Sequence, residues 1–206
     1  MDKHDYCVLP INRIDAKEFF LNKHYLKKWP RISYLFGLFL KNELVGAISY
    51  GTASSPAARK SVAGNEYSHL ILELNRLYLV NNITNEASYL ISRSIKLIDK
   101  PKIIISYADN DQGHSGIIYK AANFIYGGQS EGYHYDWVVK GKEGLHQSTL
   151  FREFKGSENK LKKMIEKYGD LLYKKKRSEK NRFVYIHSDK QTRLEILEKL
   201  NWKINE

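Results

Sequence analysis

The sequence lacks paired cysteines, long hydrophobic runs and a leader-like start. Its single cysteine, Cys7, in 206 residues excludes a disulfide framework and a cysteine-rich zinc site. The longest apolar run, Tyr34–Leu40, is far shorter than the ~18–20 residues of a membrane span. The first residues, Met-Asp-Lys-His-Asp, do not follow the basic–apolar–small order of a signal peptide. We therefore expect a soluble cytoplasmic protein with no membrane partner.

Positive charge is in excess and unevenly distributed. The formal net charge is +11, and the stretch from Arg152 to Arg182 alone holds 12 basic and 5 acidic residues. Such a stretch is typical of proteins that bind a polyanion, because each phosphate contacted releases condensed counterions. A lysine-rich helix that merely faces solvent is the alternative. Nearby aromatic residues fit either base stacking or the boundary of a core: Tyr133, Tyr135 and Trp137.

Hydropathy patterns predict strands and helices in alternation, without internal repeats. Two apolar strands, Tyr34–Leu40 and residues 44–50, flank a short polar turn and predict a hairpin. The glycine, alanine, serine and proline of residues 52–65 predict a mobile loop, whereas residues 160–173 are expected to form one helix. The other strands are expected at 6–10, 72–80, 103–107, 124–126, 136–139 and 183–187, and the other helices at 15–24, 85–98, 116–122 and 190–200.

This order predicts an α/β fold in which helices cover a mixed sheet. A doubly wound nucleotide fold is disfavoured, because no glycine-rich fingerprint follows the first strand. With 42% hydrophobic residues, the chain is long enough for one ordinary globular domain. We expect a core over residues 1–140 and a basic C-terminal extension over residues 141–206, packed on the same domain.

The central motifs resemble the GCN5-related N-acetyltransferases (GNAT). In that family a strand–helix–strand–helix unit binds acetyl-CoA, and its last helix closes on a Tyr-x-x-x-Gly-Phe pattern. Here a helix ends Tyr119-Lys120-Ala121-Ala122-Asn123-Phe124, so that Asn123 replaces the glycine. The polar run at residues 81–87 likewise replaces the glycine-rich pyrophosphate loop. The resemblance implies a GNAT-like catalytic core with acetyl-CoA as cofactor.

A closer resemblance, over almost the whole chain, is to the phage Mom family. Mom proteins are GNAT-like and modify adenine in phage DNA, which protects that DNA from restriction. The resemblance implies an enzyme that uses acetyl-CoA to modify the adenine N6 amino group. A conventional GNAT acting on a protein, an RNA or a small amine, and a non-catalytic DNA-binding protein, are the alternatives. The motifs occur in the same order: His24-Tyr25, Trp29-Pro30, Glu73-Leu74-Asn75-Arg76, Ser106-Tyr107-Ala108-Asp109, Gly113-His114 and Arg182-Phe183-Val184-Tyr185.

The resemblance also implies catalytic residues. Tyr119 is expected to protonate the departing CoA thiolate, and packing in the core is the alternative. Asp109 follows a buried strand and is expected to act as a base or metal ligand, with a helix N-cap as the alternative. His24 and Tyr25 are implied as catalytic and, together with Asp109, as ligands of iron(II). A histidine placed at a helix C-terminus by the helix dipole is the alternative for His24.

Cofactor and DNA contacts are expected on other segments. Arg76 interrupts an apolar strand and should meet an anion, namely Asp109, Glu73 or a cofactor phosphate. Asn85 and Ser88 begin a helix whose N-terminal N–H groups favour a pyrophosphate. Ser94 matches a position of the Mom pattern and is a further cofactor candidate. Residues expected to hold the DNA backbone are Lys174, Lys175, Lys176 and Arg177; other substrate-side candidates are Tyr107, Gly113, His114, Gly116, His146 and Ser148.

Overall fold

The computed structural model describes residues 2–24, 29–53, 55–109, 113–130, 135–145, 147–176 and 179–200. The chain divides into two compact units. The first comprises residues 1–108, 114–128 and 181–206, and the second comprises residues 109–113 and 129–180. This division differs from the boundary expected at residue 140, because the last strand and helix of the chain belong to the first unit. No helix in the described part of the chain has the length and apolar character needed to cross a membrane.

A seven-stranded mixed sheet forms the centre of the first unit, as the sequence predicted. Its spatial order is β1-β2-β3-β4-β5-β9-β6. The first four strands are antiparallel neighbours, and β4 and β5 run parallel. β9 is thus inserted between β5 and β6, although it comes last in the sequence. The strands of this sheet are β1 (Tyr6–Pro10), β2 (Tyr34–Leu40), β3 (Glu43–Gly51), β4 (Ile71–Leu79), β5 (Lys102–Asp109), β6 (Ile125–Ser130) and β9 (Lys180–His187).

Helices cover both faces of this sheet. Alternation along β5 separates the faces, because Ile104 enters a core with α3 and α4 whereas Ile103 and Ile105 enter a core with α2 and α7. A third core forms where α1 and the π-helical turn Phe19–Lys23 pack against β2 and β3. The helices of the first unit are α1 (Arg13–Glu18), α2 (Pro56–Tyr67), α3 (Glu86–Ile95), α4 (Ile117–Ala121) and α7 (Lys190–Lys199).

The mobile loop expected at residues 52–65 is wrong, because most of this segment is α2. Ser55 caps the helix by accepting a hydrogen bond from the Ala58 N–H, and Pro56 occupies the first turn. Val62 and Ala63 are buried. Gly64, at φ +62°, interrupts the helical geometry near its end. A capping serine, a first-turn proline and a buried apolar pair therefore outweigh the small residues that indicated a loop.

The second unit is built on a two-stranded antiparallel ribbon. It joins β7 (Tyr135–Val139) to β8 (Leu172–Lys176) and carries α5 (Gln147–Arg152) and α6 (Lys160–Tyr168). Its core contains Val139, Leu150 and Met164. The single helix expected at residues 160–173 is therefore wrong, because α6 ends at Gly169, whose φ of +49° breaks the helix. The residues that follow form β8.

Candidate functional site

A fork between β4 and β5 is the central feature of the first unit. The parallel pairing joins residues 71–73 to residues 103–105, although both strands continue beyond it. The buried Ser106 hydroxyl donates to the Leu74 carbonyl at 3.2 Å where the ladder stops. Beyond this hydrogen bond, residues 74–79 of β4 and residues 106–108 of β5 form the two arms of the fork. Open ends of parallel strands are where α/β sheets commonly bind ligands.

A β-bulge in β4 lies directly on the fork. Tyr50 of β3 pairs with Leu74 and Ser49 pairs with Arg76, so Asn75 is the extra residue. Leu74 points into the main core. Strict alternation would send Arg76 into the same core, and the extra residue turns its side chain to the opposite face. The bulge therefore places the Arg76 guanidinium on the face of the sheet opposite the Leu74 side chain.

His24, Arg76 and His114 meet on this face. His24 ends the turn that follows α1, where its N–H donates to the Phe19 carbonyl at 2.7 Å. Its side chain is 7% exposed. Burial is the largest cause that lowers the pKa of His24 to about 4, and the neighbouring Arg76 and His114 act in the same direction. The structure thus presents a neutral imidazole beside a guanidinium. Tyr25 lies outside the described residues.

Three neighbouring strands carry a second polar group, which sequence reasoning largely missed. Burial raises the pKa of Tyr107 on β5, the Arg182 guanidinium opposes this shift, and the Glu73 carboxylate adds to it. Arg182 is fixed by two hydrogen bonds to the Gly127 carbonyl, at 2.9 and 2.6 Å. In the sequence, the only sign of a role for Glu73 and Arg182 is that both lie inside the recognised motifs. Their approach to Tyr107 could not be predicted, because the insertion of β9 beside β5 is not visible in the sequence.

Tyr119 lies in α4 with its ring 9% exposed, packed 5.7 Å from Phe124 and 5.2 Å from Phe183. Tyr50 lies close enough for the two phenols to interact electrostatically, and burial raises the pKa of Tyr50. Ser94 is fully buried, with its hydroxyl 2.7 Å from that of Tyr50. Ser94 therefore supports the core around Tyr119, and the cofactor contact expected of it stays a prediction.

In the loop between β4 and α3, asparagines adopt the left-handed backbone conformation that glycine adopts most easily. Asn82 and Asn85 have φ values of +47° and +74°, in the left-handed region. The buried Glu86 carboxylate accepts hydrogen bonds from the Tyr6 hydroxyl at 2.7 Å and the Ile83 N–H at 2.9 Å, which fixes the loop from below. Asn85 forms no side-chain cap; the Glu86 N–H donates to the Ile83 carbonyl at 3.0 Å, and the next N–H groups of the first turn of α3 are oriented for an anion. These residues fit the pyrophosphate of a CoA cofactor.

Asp109, in the second unit, ends β5 and pairs with Lys180 at 3.1 Å. Its side chain is 13% exposed and that of Lys180 is 42% exposed, so water reaches this pair from the lysine side. The alternative that Asp109 caps the next helix is wrong, because the N-cap of α4 is Gly116. No group of three or more histidine, cysteine, aspartate or glutamate side chains suited to a metal is found among the described residues. The expected iron gains no support there.

The ribbon of the second unit alternates aromatic and basic side chains. Tyr135 pairs with Lys176 and Trp137 pairs with Lys174, whose ammonium lies 5.1 Å from the Trp137 ring. Lys174, Lys175 and Lys176 are exposed. Tyr133, His146 and Arg177, and the side chain of Ser148, lie outside the described residues.

Solved structures with the same fold are acetyltransferases. The ribosomal-protein-S5-alanine acetyltransferase from Vibrio fischeri superposes with a TM-score of 0.51 at 13% identity, covering 90% of this chain and 94% of that one. A Salmonella typhimurium protein assigned as an acetyltransferase, solved with its cofactor acetyl-CoA, gives 0.51 at 9% identity, with 90% and 95% covered. The fold is therefore that of the GNAT enzymes.

The family is narrower than this class. Residues 5–203 match the model of the Mom protein family, and the chain belongs to that family. The methylcarbamoylase mom of Escherichia phage Mu is 29% identical over 171 residues, which cover 77% of this chain and 70% of the phage protein. The resemblance expected from the ordered motifs is thereby confirmed.

Proposed function

We propose that this chain modifies the N6 amino group of adenine in DNA, uses acetyl-CoA as its activated donor, and protects the modified DNA from restriction. The observation that carries the proposal is the match to the Mom family over residues 5–203. The fork, with a neutral histidine and a guanidinium on one face and Tyr119 on the other, supports it. The named activity of the phage Mu relative, a methylcarbamoylase, supports modification by transfer of a carbon group.

The cofactor is proposed to lie along the β4–α3 loop and the fork. Its pyrophosphate would accept hydrogen bonds from the first N–H groups of α3, beyond Asn85. When bound, acetyl-CoA would supply a thioester, an activated electrophile that even a weak nucleophile such as an aryl amine can attack, with the CoA thiolate as the leaving group. Tyr119 holds a phenolic proton that can neutralise a leaving thiolate, because its ring is fixed between Phe124 and Phe183.

Since its pKa lies near 4, the His24 imidazole is unprotonated at neutral pH, and such a ring has one nitrogen that can act as an acceptor. It can therefore accept a hydrogen bond from the amino group that reacts, while Arg76 provides positive charge beside it. Adenine N6 lies inside the duplex, so the base must leave the stack before it reaches such a site. The exposed lysines of β8 and the ring of Trp137 are suited to hold the nucleic acid during this step.

Mass spectrometry of nucleosides tests the proposal directly. DNA from cells that express the chain should contain a new adenine derivative, and DNA from cells that express Tyr119→Phe should contain little of it. Loss of the phenolic proton is expected to lower the rate by ~10²–10⁴. The variant should keep its affinity for CoA and its melting temperature, because the ring and its packing remain.

Two other results would contradict the proposal. Unmodified DNA together with tight CoA binding favours an acetyltransferase of a protein, an RNA or a small amine. Unmodified DNA without CoA binding favours a DNA-binding protein that has lost catalysis. A Tyr119→Phe variant with full activity would return Tyr119 to a role in core packing alone.

A further inference from the structure

We propose that Asn75 is a positioning residue that holds residues 29–33, called here the strap, against the fork as a wall of the DNA acceptor site. This inference rests on the proposed function, because it assigns the wall to the DNA substrate. It concerns the strap and the bulge of β4, both in the first unit.

Asn75 forms two side-chain hydrogen bonds in opposite directions. Its amide oxygen accepts from the Ser49 hydroxyl at 2.7 Å, which ties the bulge to β3. Its amide nitrogen donates to the Arg31 carbonyl at 2.7 Å, which ties the bulge to the strap. An amide is required for both, since aspartate lacks the donor and threonine lacks the reach. The extra residue of the bulge is therefore also the attachment point of the strap.

The strap lies in close contact with the sheet at a second point. A Cβ added at Gly51 would stand 1.8 Å from the Arg31 carbonyl oxygen and 2.9 Å from the Asn75 amide nitrogen. Ordinary carbon–oxygen contacts are well over 3 Å, so any side chain at position 51 would displace the strap. The absence of a side chain at Gly51 thus allows the hydrogen bond that Asn75 makes.

The ends of the strap are anchored by packing and by the sheet. Trp29 packs against Phe20, with ring centroids 6.0 Å apart, and Ile32 joins the same apolar core. The Ser33 N–H donates to the Tyr50 carbonyl at 2.7 Å, and β2 begins at the next residue. Between these anchors the Arg31 side chain is exposed. The strap therefore carries an exposed cation at the residue whose carbonyl is bound by Asn75, next to the fork.

This arrangement explains why the acceptor would be a nucleic acid. An exposed guanidinium on a fixed backbone suits a phosphate, which arginine binds with planar, directional hydrogen bonds. A flipped base that enters the fork would carry its own phosphate past the strap. Fixing the strap would reduce the ordering cost of that contact.

Two variants disturb the same contact by different means. Asn75→Asp removes the donor to the Arg31 carbonyl, and Gly51→Ala crowds that carbonyl at 1.8 Å while the Asn75 side chain keeps its donor and its acceptor. Each should raise the KM for an adenine-containing DNA duplex about tenfold, the effect of one lost hydrogen bond, and change the KM for acetyl-CoA less than twofold. Amide exchange in residues 29–33 should accelerate in both variants, and DNA should slow that exchange in the wild-type protein.

Matched controls are Asn42→Asp, in the turn between β2 and β3, and Gly144→Ala, where an added Cβ meets nothing within 4 Å. Both should behave as the wild type. An unchanged KM for DNA, or equal rises in the KM of both substrates, would overturn the inference. Wild-type protein whose strap is protected by DNA but which forms no modified adenine would contradict the proposed function alone. Modified adenine without protection of the strap would contradict this inference alone.

Discussion

Burial, together with the neighbouring Arg76 and His114, makes His24 a group that resists protonation. In the unfolded chain its pKa is near 6.5, whereas burial, Arg76 and His114 lower it to about 4 in the folded protein. The folded state therefore binds fewer protons between these values. The stabilisation is complete above pH 6.5 and is lost as the pH falls from about 6.5 to about 4.

We predict that His24→Gln flattens the dependence of the melting temperature on pH in this window. Glutamine keeps a polar group of similar reach but does not titrate. The wild type should lose more thermal stability than the variant between pH 6.5 and pH 4.5. His4→Gln is the matched control, because it removes a histidine whose side chain is exposed. Parallel curves for the wild type and His24→Gln would contradict the prediction.

A substitution at Asp109 distinguishes a chemical role of its carboxylate from a structural one. We predict that Asp109→Asn abolishes adenine modification, because the amide keeps the shape and loses the charge, and that the melting temperature changes little. The comparison variant is Lys180→Met, which removes the cation 3.1 Å away and keeps the carboxylate. It should retain product, since a partly exposed ion pair contributes only about 0–1 kcal/mol. Full product from Asp109→Asn would show that the carboxylate merely pairs with Lys180.

The motifs were sufficient to name His24, Arg76 and Tyr119, but not to group them. Arg76 faces His24 because Asn75 is an extra residue in β4, and a bulge depends on the register with β3. Glu73 and Arg182 approach Tyr107 because β4 and β9 lie on the two sides of β5. Both arrangements are tertiary, so no local pattern in the sequence could have revealed them.

The loop before α3 shows how an element keeps its shape after losing glycine. Asn85 adopts a left-handed conformation with φ of +74°, which a residue with an ordinary β-carbon reaches at a cost of ~1 kcal/mol or more. We predict that Asn85→Gly preserves the melting temperature and CoA affinity, and that Asn85→Ala lowers both. Calorimetric titration with CoA and a melting curve provide the measurements. Equal behaviour of the two variants would exclude a conformational role for Asn85.

Elements with a clear apolar pattern were predicted well from the sequence, and elements without one were not. β1 and β2 agree with their predicted bounds, because alternation and a polar turn define them. The helix at Pro56–Tyr67 was missed because its small residues resemble a loop, and its buried pair Val62 and Ala63 packs only in the fold. β8 was missed because its lysines carry no apolar alternation.

At the scale of the molecule, the fork and the basic ribbon lie in different units. The fork and its side chains belong to the first unit, and the basic ribbon belongs to the second. The boundary expected at residue 140 is not where the contacts divide, because β9 and α7 return to the central sheet. A chain that leaves a sheet and re-enters it gives no compositional sign of either crossing.

We predict that the ribbon binds DNA through phosphates with little sequence preference. Replacing Lys174, Lys175 and Lys176 with glutamine should reduce the slope of log K against log salt by up to ~2.7, because each phosphate contact contributes about 0.9; with Arg177 replaced as well, the reduction should approach ~3–4. The control replaces three exposed lysines of the first unit, which removes the same charge from other places: Lys3, Lys96 and Lys190. Its slope should stay near the wild-type value, since the ribbon keeps its lysines and the phosphate contacts expected of them. Equal slopes for the two triple variants would mean that net charge alone, and not the ribbon, attracts DNA.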